Sequence, residues 1–444
     1  MASNVDEYGT QINEPFIEPP QLTRQLMEIG QDLAWTITCW QEWSYRKVDT
    51  IELLPGTRGR RHVSVDCAPP LIAIPSSLGG SEFPAAGSIA VPLVFMKKDA
   101  MRSFDARDES NRALPVLGRT TNSTLSSAAL YIIITLALNE TEILEYKDDI
   151  WKRVWRITIL PEESAQDELK QLINSYKPSD LVLRMIQDFV SCFLLILVLP
   201  EEQAGIRQIL KYSYHWDVIP SVNIYNRLVA GFGQQSLRIP VEIGALDTAY
   251  SYHLECRVPP GLVATEIVLP KDRSGKPPKS EKLTSVAHIN GNYDVACAER
   301  NQPAELWLAL DSHELLPRLF LSCLAVAAIS LAMLVFPTVL ARIAYQADAA
   351  VALLLFFPAY VISSFAKSDE NTIVSAVLLP LRVLAIMLVI WLFIAGVFIV
   401  YDPAWWATVC WFKIGYVLSA IAIVVSGRGL DKQRRLVERI LRSR

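Results

Sequence analysis

The residues in this 444-residue chain with the chemistry to form a site are five histidines, seven cysteines and a few charged residues placed in phase along predicted strands. The histidines (His62, His215, His253, His288, His313) are scattered, and none forms the H-x-x-x-H or H-E-x-x-H spacing that sets two imidazoles around zinc. His253, Glu255 and Arg257 alternate along one strand and so share a face. Such a trio suits a site, and suits a solvated polar face first. Asp105, Asp108 and Glu109 in FDARDES offer oxygen ligands, but their spacing matches no calcium loop and reads as a hydrophilic surface loop. Gly231 and Gly233 (GFGQQS) lack the further glycines and the Lys-Ser/Thr of a phosphate loop, and no serine sits in G-x-S-x-G. No catalytic, metal or cofactor motif emerges, so neither a cofactor nor an enzymatic activity is expected.

The cysteines (Cys39, Cys67, Cys192, Cys256, Cys297, Cys323, Cys410) are odd in number and contain no C-x-x-C, which favours a reducing compartment. Under that reading the sequons at Asn122 and Asn139 have no role. The opening MASNVDEYGTQINEPFIEPP is acidic, without Lys, Arg or a long apolar run, and reads as a disordered arm over 1–20, not a signal peptide.

Hydrophobic residues make up 51% of the chain and charged residues 20%, with mean hydropathy +0.26, and the apolar excess lies after residue 317. Net charge is −4, yet the last 17 residues carry Arg428, Lys432, Arg434, Arg435, Arg439, Arg442 and Arg444 against Asp431 and Glu438. An acidic body without a basic stripe argues against nucleic acid as a partner. A basic tail beside apolar helices argues for the lipid bilayer and its anionic headgroups.

Four stretches have the length and composition of membrane spans: 319–341, 349–366, 383–401 and 404–427, within a region 318–427. Lys and Arg distribution then places both termini in the cytoplasm, with Arg318, Lys367, Arg382 and the tail inside and Arg342 outside. The segment from Asn371 to Leu381 either lies in the interface or extends the third span across Pro380. Lys413, in the fourth span, marks an ion or substrate pathway or, as the plainer reading, snorkels outward beside Trp405, Trp406 and Trp411. Arg382 is the second polar candidate. The small-residue pairs Ala328/Ala332 and Gly415/Ser419 allow close helix packing in a bundle or homo-oligomer. The tail 428–444 forms a basic amphipathic helix that lies on the inner leaflet in preference to a coiled coil.

The elements ahead of the membrane region form an α+β arrangement: a mixed domain over 21–203 and a β-sandwich-like domain over 204–312. Strands are expected at Trp35–Trp40, His62–Cys67, Ile89–Phe95, Leu194–Leu199, Leu237–Ile243, Tyr250–Val258, Val263–Leu269 and Leu306–Leu310. Pro92 suggests an edge for the third of these. Helices are expected from Pro161 and from Ser179, the second with Val182, Met185, Ile186, Phe189, Val190 and Phe193 along its apolar face. Ala128–Leu138 suits either state. Together these features predict a multi-pass cell-membrane protein with a cytoplasmic interaction or sensing region and a protein partner there. An oligomeric channel or membrane-perturbing effector is the alternative, and a membrane-tethered enzyme the third reading.

Overall fold

The structure, a computed structural model, describes residues 18–54, 58–74, 87–98, 102–136, 140–176, 178–217, 229–230, 232, 234–241, 243, 246–260, 262–272, 274–280, 285–293, 304–310, 315–335, 372–401 and 405–442. It mixes helix and strand. In chain order the elements are α1 (Arg24–Thr38), α2 (Trp40–Trp43), β1 (Ser44–Leu53), β2 (Arg58–Cys67), β3 (Ser88–Lys97), β4 (Arg102–Arg107), α3 (Arg119–Thr135), α4 (Glu140–Ile159), α5 (Glu162–Tyr176), α6 (Asp180–Ser191), β5 (Cys192–Pro200) and β6 (Gln208–Asp217). They continue with β7 (Leu237–Val241), β8 (Ser251–Arg257), β9 (Leu262–Val268), β10 (Lys279–Ser280), β11 (Val286–Asn292), β12 (Ala304–Leu310), α7 (Leu315–Val335), α8 (Thr372–Tyr401) and α9 (Trp405–Arg442).

The chain folds as two compact units, each made of discontinuous segments: 1–45, 66–100 and 106–210 form the first, and 46–65, 101–105 and 211–444 the second. In the first unit β3 and β5 pair antiparallel, with a register shift between Pro92 and Val94 where proline removes a ladder donor. Residues Leu194–Leu199 are buried along this strand, as a continuous apolar run requires. Helix α6 begins after Ser179 and buries five of the six apolar residues its spacing marks out; the sixth, Phe193, lies in β5, because the helix ends at Ser191. Residues 128–135 lie within helix α3, where Ala128 meets α1 at Gly30; a Cβ at that glycine would come within 2.8 Å of Ala128.

Trp35–Trp40 is not a strand. Thr23 caps α1 by accepting from the Leu26 N–H at 3.2 Å, and Leu26, Ile29, Leu33 and Ile37 form a buried helical stripe. That stripe outweighs the short alternation in WTITCW.

In the second unit six strands form a sheet in the order β11-β8-β1-β2-β6-β4, and four form another in the order β10-β9-β12-β7. The strands of 204–312 therefore do not make a sandwich by themselves. They divide between two sheets, and β1, β2 and β4 come from the first quarter of the chain. Strand β8 lies parallel to β1, with His253 opposite Val48 and Cys256 opposite Ile51.

The helical region also differs from expectation. Among the described residues only Val409–Gly429 is long and apolar enough to cross a membrane; Phe320–Ala332 and Arg382–Trp391 are shorter apolar stretches. The expected span 349–366 lies outside the described residues. Helix α8 runs unbroken from Thr372 to Tyr401 with Pro380 inside it, joining the apolar segment before Arg382 to the expected third span. Helix α9 likewise unites the expected fourth span with the basic tail. The four-span multi-pass arrangement and its cell-membrane topology are not supported, and the channel reading built on it loses its basis. An uncharged run identifies an apolar segment, whereas a span needs high hydropathy sustained over a full crossing length of described helix, and Val409–Gly429 meets that condition.

Candidate functional site

The six-stranded sheet has two chemically distinct faces, and the site begins with the phase of its strands. Along β1, Lys47, Asp49, Ile51 and Leu53 are buried in alternation, and along β2 Arg61 falls in phase with Val63 and Val65. Charges in phase with apolar residues must be desolvated, so each needs a partner.

Arg61 Nε donates to Asp49 Oδ1 at 2.8 Å and Oδ2 at 2.9 Å, and its Nη2 also donates to Oδ2. Tyr252 Oη donates to Asp49 Oδ2 at 2.7 Å, and Arg61 Nη1 donates to Tyr214 Oη at 3.2 Å. Asp49 and Tyr252 are 0% exposed. Burial, followed by the Asp49 charge, holds the Tyr252 hydroxyl well above its ordinary range, so it serves as a donor. Nearby, Lys47 Nζ donates to Thr248 Oγ1 at 3.3 Å. This network ties β1, β2, β6 and β8 together. Its physical role is to select the sheet's pairing, because a shift by one residue would bury an unpaired charge.

The opposite face carries Thr50 and Glu52 of β1, Arg60 and His62 of β2, His215 of β6, His253, Glu255 and Arg257 of β8, and His288 of β11. Four of the chain's five histidines thus share one sheet face. The predicted trio His253, Glu255 and Arg257 does lie on it. Thr50 Oγ1 donates to Glu255 at 3.3 Å, and His253 Nδ1 lies 3.4 Å from His288 Nε2. His313 lies outside the described residues. Sequence reasoning missed the convergence of the other histidines because they are brought together by strand order. It also missed the Asp49–Arg61 pair, whose signal was present: opposite charges in phase with the apolar residues of two strands.

Burial pushes His62 below its usual value, aided by Arg60, Arg257 and His215 and opposed by Glu52. An imidazole with a depressed folded-state pKa carries no penalty above about 6.5, where neither state is charged. As pH falls through that value the unfolded chain binds the proton and the folded sheet resists, so stability is lost. The denaturant midpoint is therefore expected to fall between pH 7.5 and 5.5, and His62→Gln is expected to reduce that fall. An unchanged fall in the variant would assign the acid sensitivity elsewhere.

Other predicted residues are dispersed. Asp108 accepts from the Arg112 N–H at 2.8 Å and from Arg112 Nε at 2.7 Å, closing a turn at Asn111, whose φ is 66°. Among the described residues no group of three or more His, Cys, Asp or Glu is placed to hold a metal. Asn122 is buried and donates through Nδ2 to Leu194 O at 2.7 Å, which removes its sequon from reach; Asn139 lies outside the described residues. The six described cysteines are unbridged. Lys98 plugs the C-terminal end of α4, donating to the carbonyls of Ile157 and Leu160, and burial lowers its ammonium to about 8.

In the helical region Lys413 is exposed, and Arg382 Nη1 donates to Ser375 Oγ at 3.3 Å. Trp411, expected beside Lys413, instead pairs with Trp391: the rings stack at 6.5 Å and each indole N–H donates to the other's carbonyl at 3.3 Å. Along α9 the buried positions are Phe412, Gly415, Ser419, Ala422, Ser426 and Gly429, a narrow seam of mostly small residues. Gly415 and Ser419 therefore pack as their spacing suggests, whereas Ala328 and Ala332 are exposed and α7 buries Cys323, Val326 and Ser330. In the tail, Arg428 and Arg435 are exposed, and Arg435 pairs with Asp431 at 2.7 Å. No family model matches this sequence, and no curated protein matches it.

Proposed function

We propose that the chain is a lipid-attached binding protein, held to an anionic bilayer surface by its C-terminal helices, with the sheet-bearing part left for recognition. The observation that carries this reading is the apolar outer surface of α7, α8 and α9, which surrounds an inner seam where buried hydroxyls of α7 and α9 lie among Val326, Leu388, Trp391 and Phe412. Their buried seam contains Ser330, Ser419 and Ser426, each 0% exposed, with hydroxyls returned to carbonyls of their own helices at Val326, Gly415 and Ala422. Their outer faces carry large apolar side chains: Leu321 is 65% exposed, Phe393 58%, Ile421 56% and Val417 55%.

In water a helix turns its apolar side inward. In hydrocarbon nothing drives Leu or Ile inward, and small and hydroxyl residues line the contacts because they allow close approach and satisfy their own polar groups. The basic residues that follow directly in α9 favour anionic headgroups, each by about 1 kcal/mol near the surface. The reading assigns lipid contact to these faces and no fixed number of crossings.

Vesicle flotation of the full chain tests it. The protein is expected to float with vesicles containing an anionic lipid, and less completely with neutral ones or at high salt, where surface charge is screened. Combined Ile414→Ser, Val417→Ser, Leu418→Ser and Ile421→Ser replacement is expected to release it. A wild-type chain that stays monodisperse in the lipid-free fraction would reject the reading, as would a concentration-dependent dimer that does not float, which would assign these faces to a second copy.

A further inference from the structure

We infer that His253 and His288 form a two-imidazole site for a divalent transition metal of the zinc, copper and nickel class. On the antiparallel pair β8–β11, His253 lies opposite Asn290 and His288 opposite Glu255, so the two histidines are diagonal neighbours on one face. His253 Nδ1 and His288 Nε2 face each other at 3.4 Å, with ring centroids 5.6 Å apart and planes inclined by 34°.

That separation is long for an N–H···N hydrogen bond, since nitrogen donors cluster at about 2.9–3.0 Å. It matches a shared metal: two ligands at about 2.0–2.1 Å from a tetrahedral ion lie roughly 3.3–3.4 Å apart. The remaining nitrogen of His253, Nε2, lies 3.2 Å from Ser251 Oγ. An Nε2–H donated to that hydroxyl leaves Nδ1 with its lone pair directed at the site, the outer-shell arrangement that orients metal-bound imidazoles. Imidazole ligation selects zinc, copper or nickel over magnesium or calcium.

Glu255 is on the same face, but its carboxylate accepts from Thr50 Oγ1 at 3.3 Å. Among the described residues the two imidazoles are the ligands assigned here, and no group of three or more His, Cys, Asp or Glu is placed to hold a metal. His288 is exposed and His253 half-buried, so the ion has direct access from solvent.

The test is a Zn2+ titration of the full chain, prepared without a histidine tag, by competition with a chromogenic chelator. One site per chain is expected. His253→Asn and His288→Asn are each expected to weaken it tenfold or more, Ser251→Ala severalfold, and His215→Asn not at all. Unchanged affinity in both histidine variants, or equal loss in His215→Asn, would overturn the assignment. Should a variant fail to fold, modification of the wild-type histidines by diethyl pyrocarbonate decides the matter. Zn2+ is expected to protect His253 and His288 together while leaving His215 reactive, and absence of that joint protection would overturn it equally.

Discussion

Asp49→Ala is expected to destabilise the six-stranded sheet by about 3–5 kcal/mol, the cost of leaving one member of a buried ion pair without its partner. The substitution strands two groups at once. Arg61, 8% exposed, loses both carboxylate oxygens, and the buried Tyr252 hydroxyl loses its acceptor. Because the molecule has two compact units, the effect is best read locally, as lost amide-exchange protection in β1, β2 and β8. Asp49→Asn, which keeps an acceptor but removes the charge, is expected to cost less. The paired replacement Asp49→Leu with Arg61→Met is expected to recover most of the loss, since a well-packed apolar pair removes both desolvation penalties. If Asp49→Ala changes stability by less than about 1 kcal/mol, the net value of a typical hydrogen bond, the pair does not govern the sheet.

The second large effect is expected at Gly415. A Cβ built there would overlap the Trp391 indole, and Trp391 is itself held by two hydrogen bonds to Trp411 and an edge-on contact with Phe412 at 5.7 Å between ring centroids. The ring has little freedom to withdraw. Gly415→Ala is therefore expected to cost about 1–3 kcal/mol, the usual range for overpacking, and Gly415→Leu more, by forcing α8 and α9 apart. The check is thermal unfolding of the full chain in vesicles or detergent, together with the fluorescence of the tryptophan pair. A Gly415→Leu chain with unaltered stability and an intact tryptophan signal would show that the helices do not depend on this close approach.

The elements legible in the sequence are those whose pattern is strictly local. The i, i+3, i+4 spacing after Ser179 yields α6 with its expected buried face, and the apolar run that follows yields β5. Residues Ser251–Arg257 alternate as read, placing Tyr252, Leu254 and Cys256 inward and His253, Glu255 and Arg257 outward. Where two local patterns compete, the longer one prevails: the stripe from Leu26 to Ile37 makes a helix of residues whose last few alternate like a strand. In the C-terminal region the sequence located the apolar segments but placed helix boundaries within them that the structure removes, since Pro380 lies inside α8 and the tail continues α9.

The sequence by itself determined the helix that follows Ser179, the strands at Leu194–Leu199 and Ser251–Arg257 with the inward side of the latter, and that the last third is apolar with a basic end. Each of these follows from periodicity or composition within about a dozen neighbours. Only the tertiary structure decided that β1 lies parallel to β8, that Asp49 meets Arg61 and Tyr252, that His253 meets His288, and that Gly415 lies against Trp391. Those outcomes join positions far apart in the chain, Asp49 and Tyr252 among them. They are set by which complete faces can bury one another without an unpaired charge or a steric overlap, a condition that no single stretch of sequence contains.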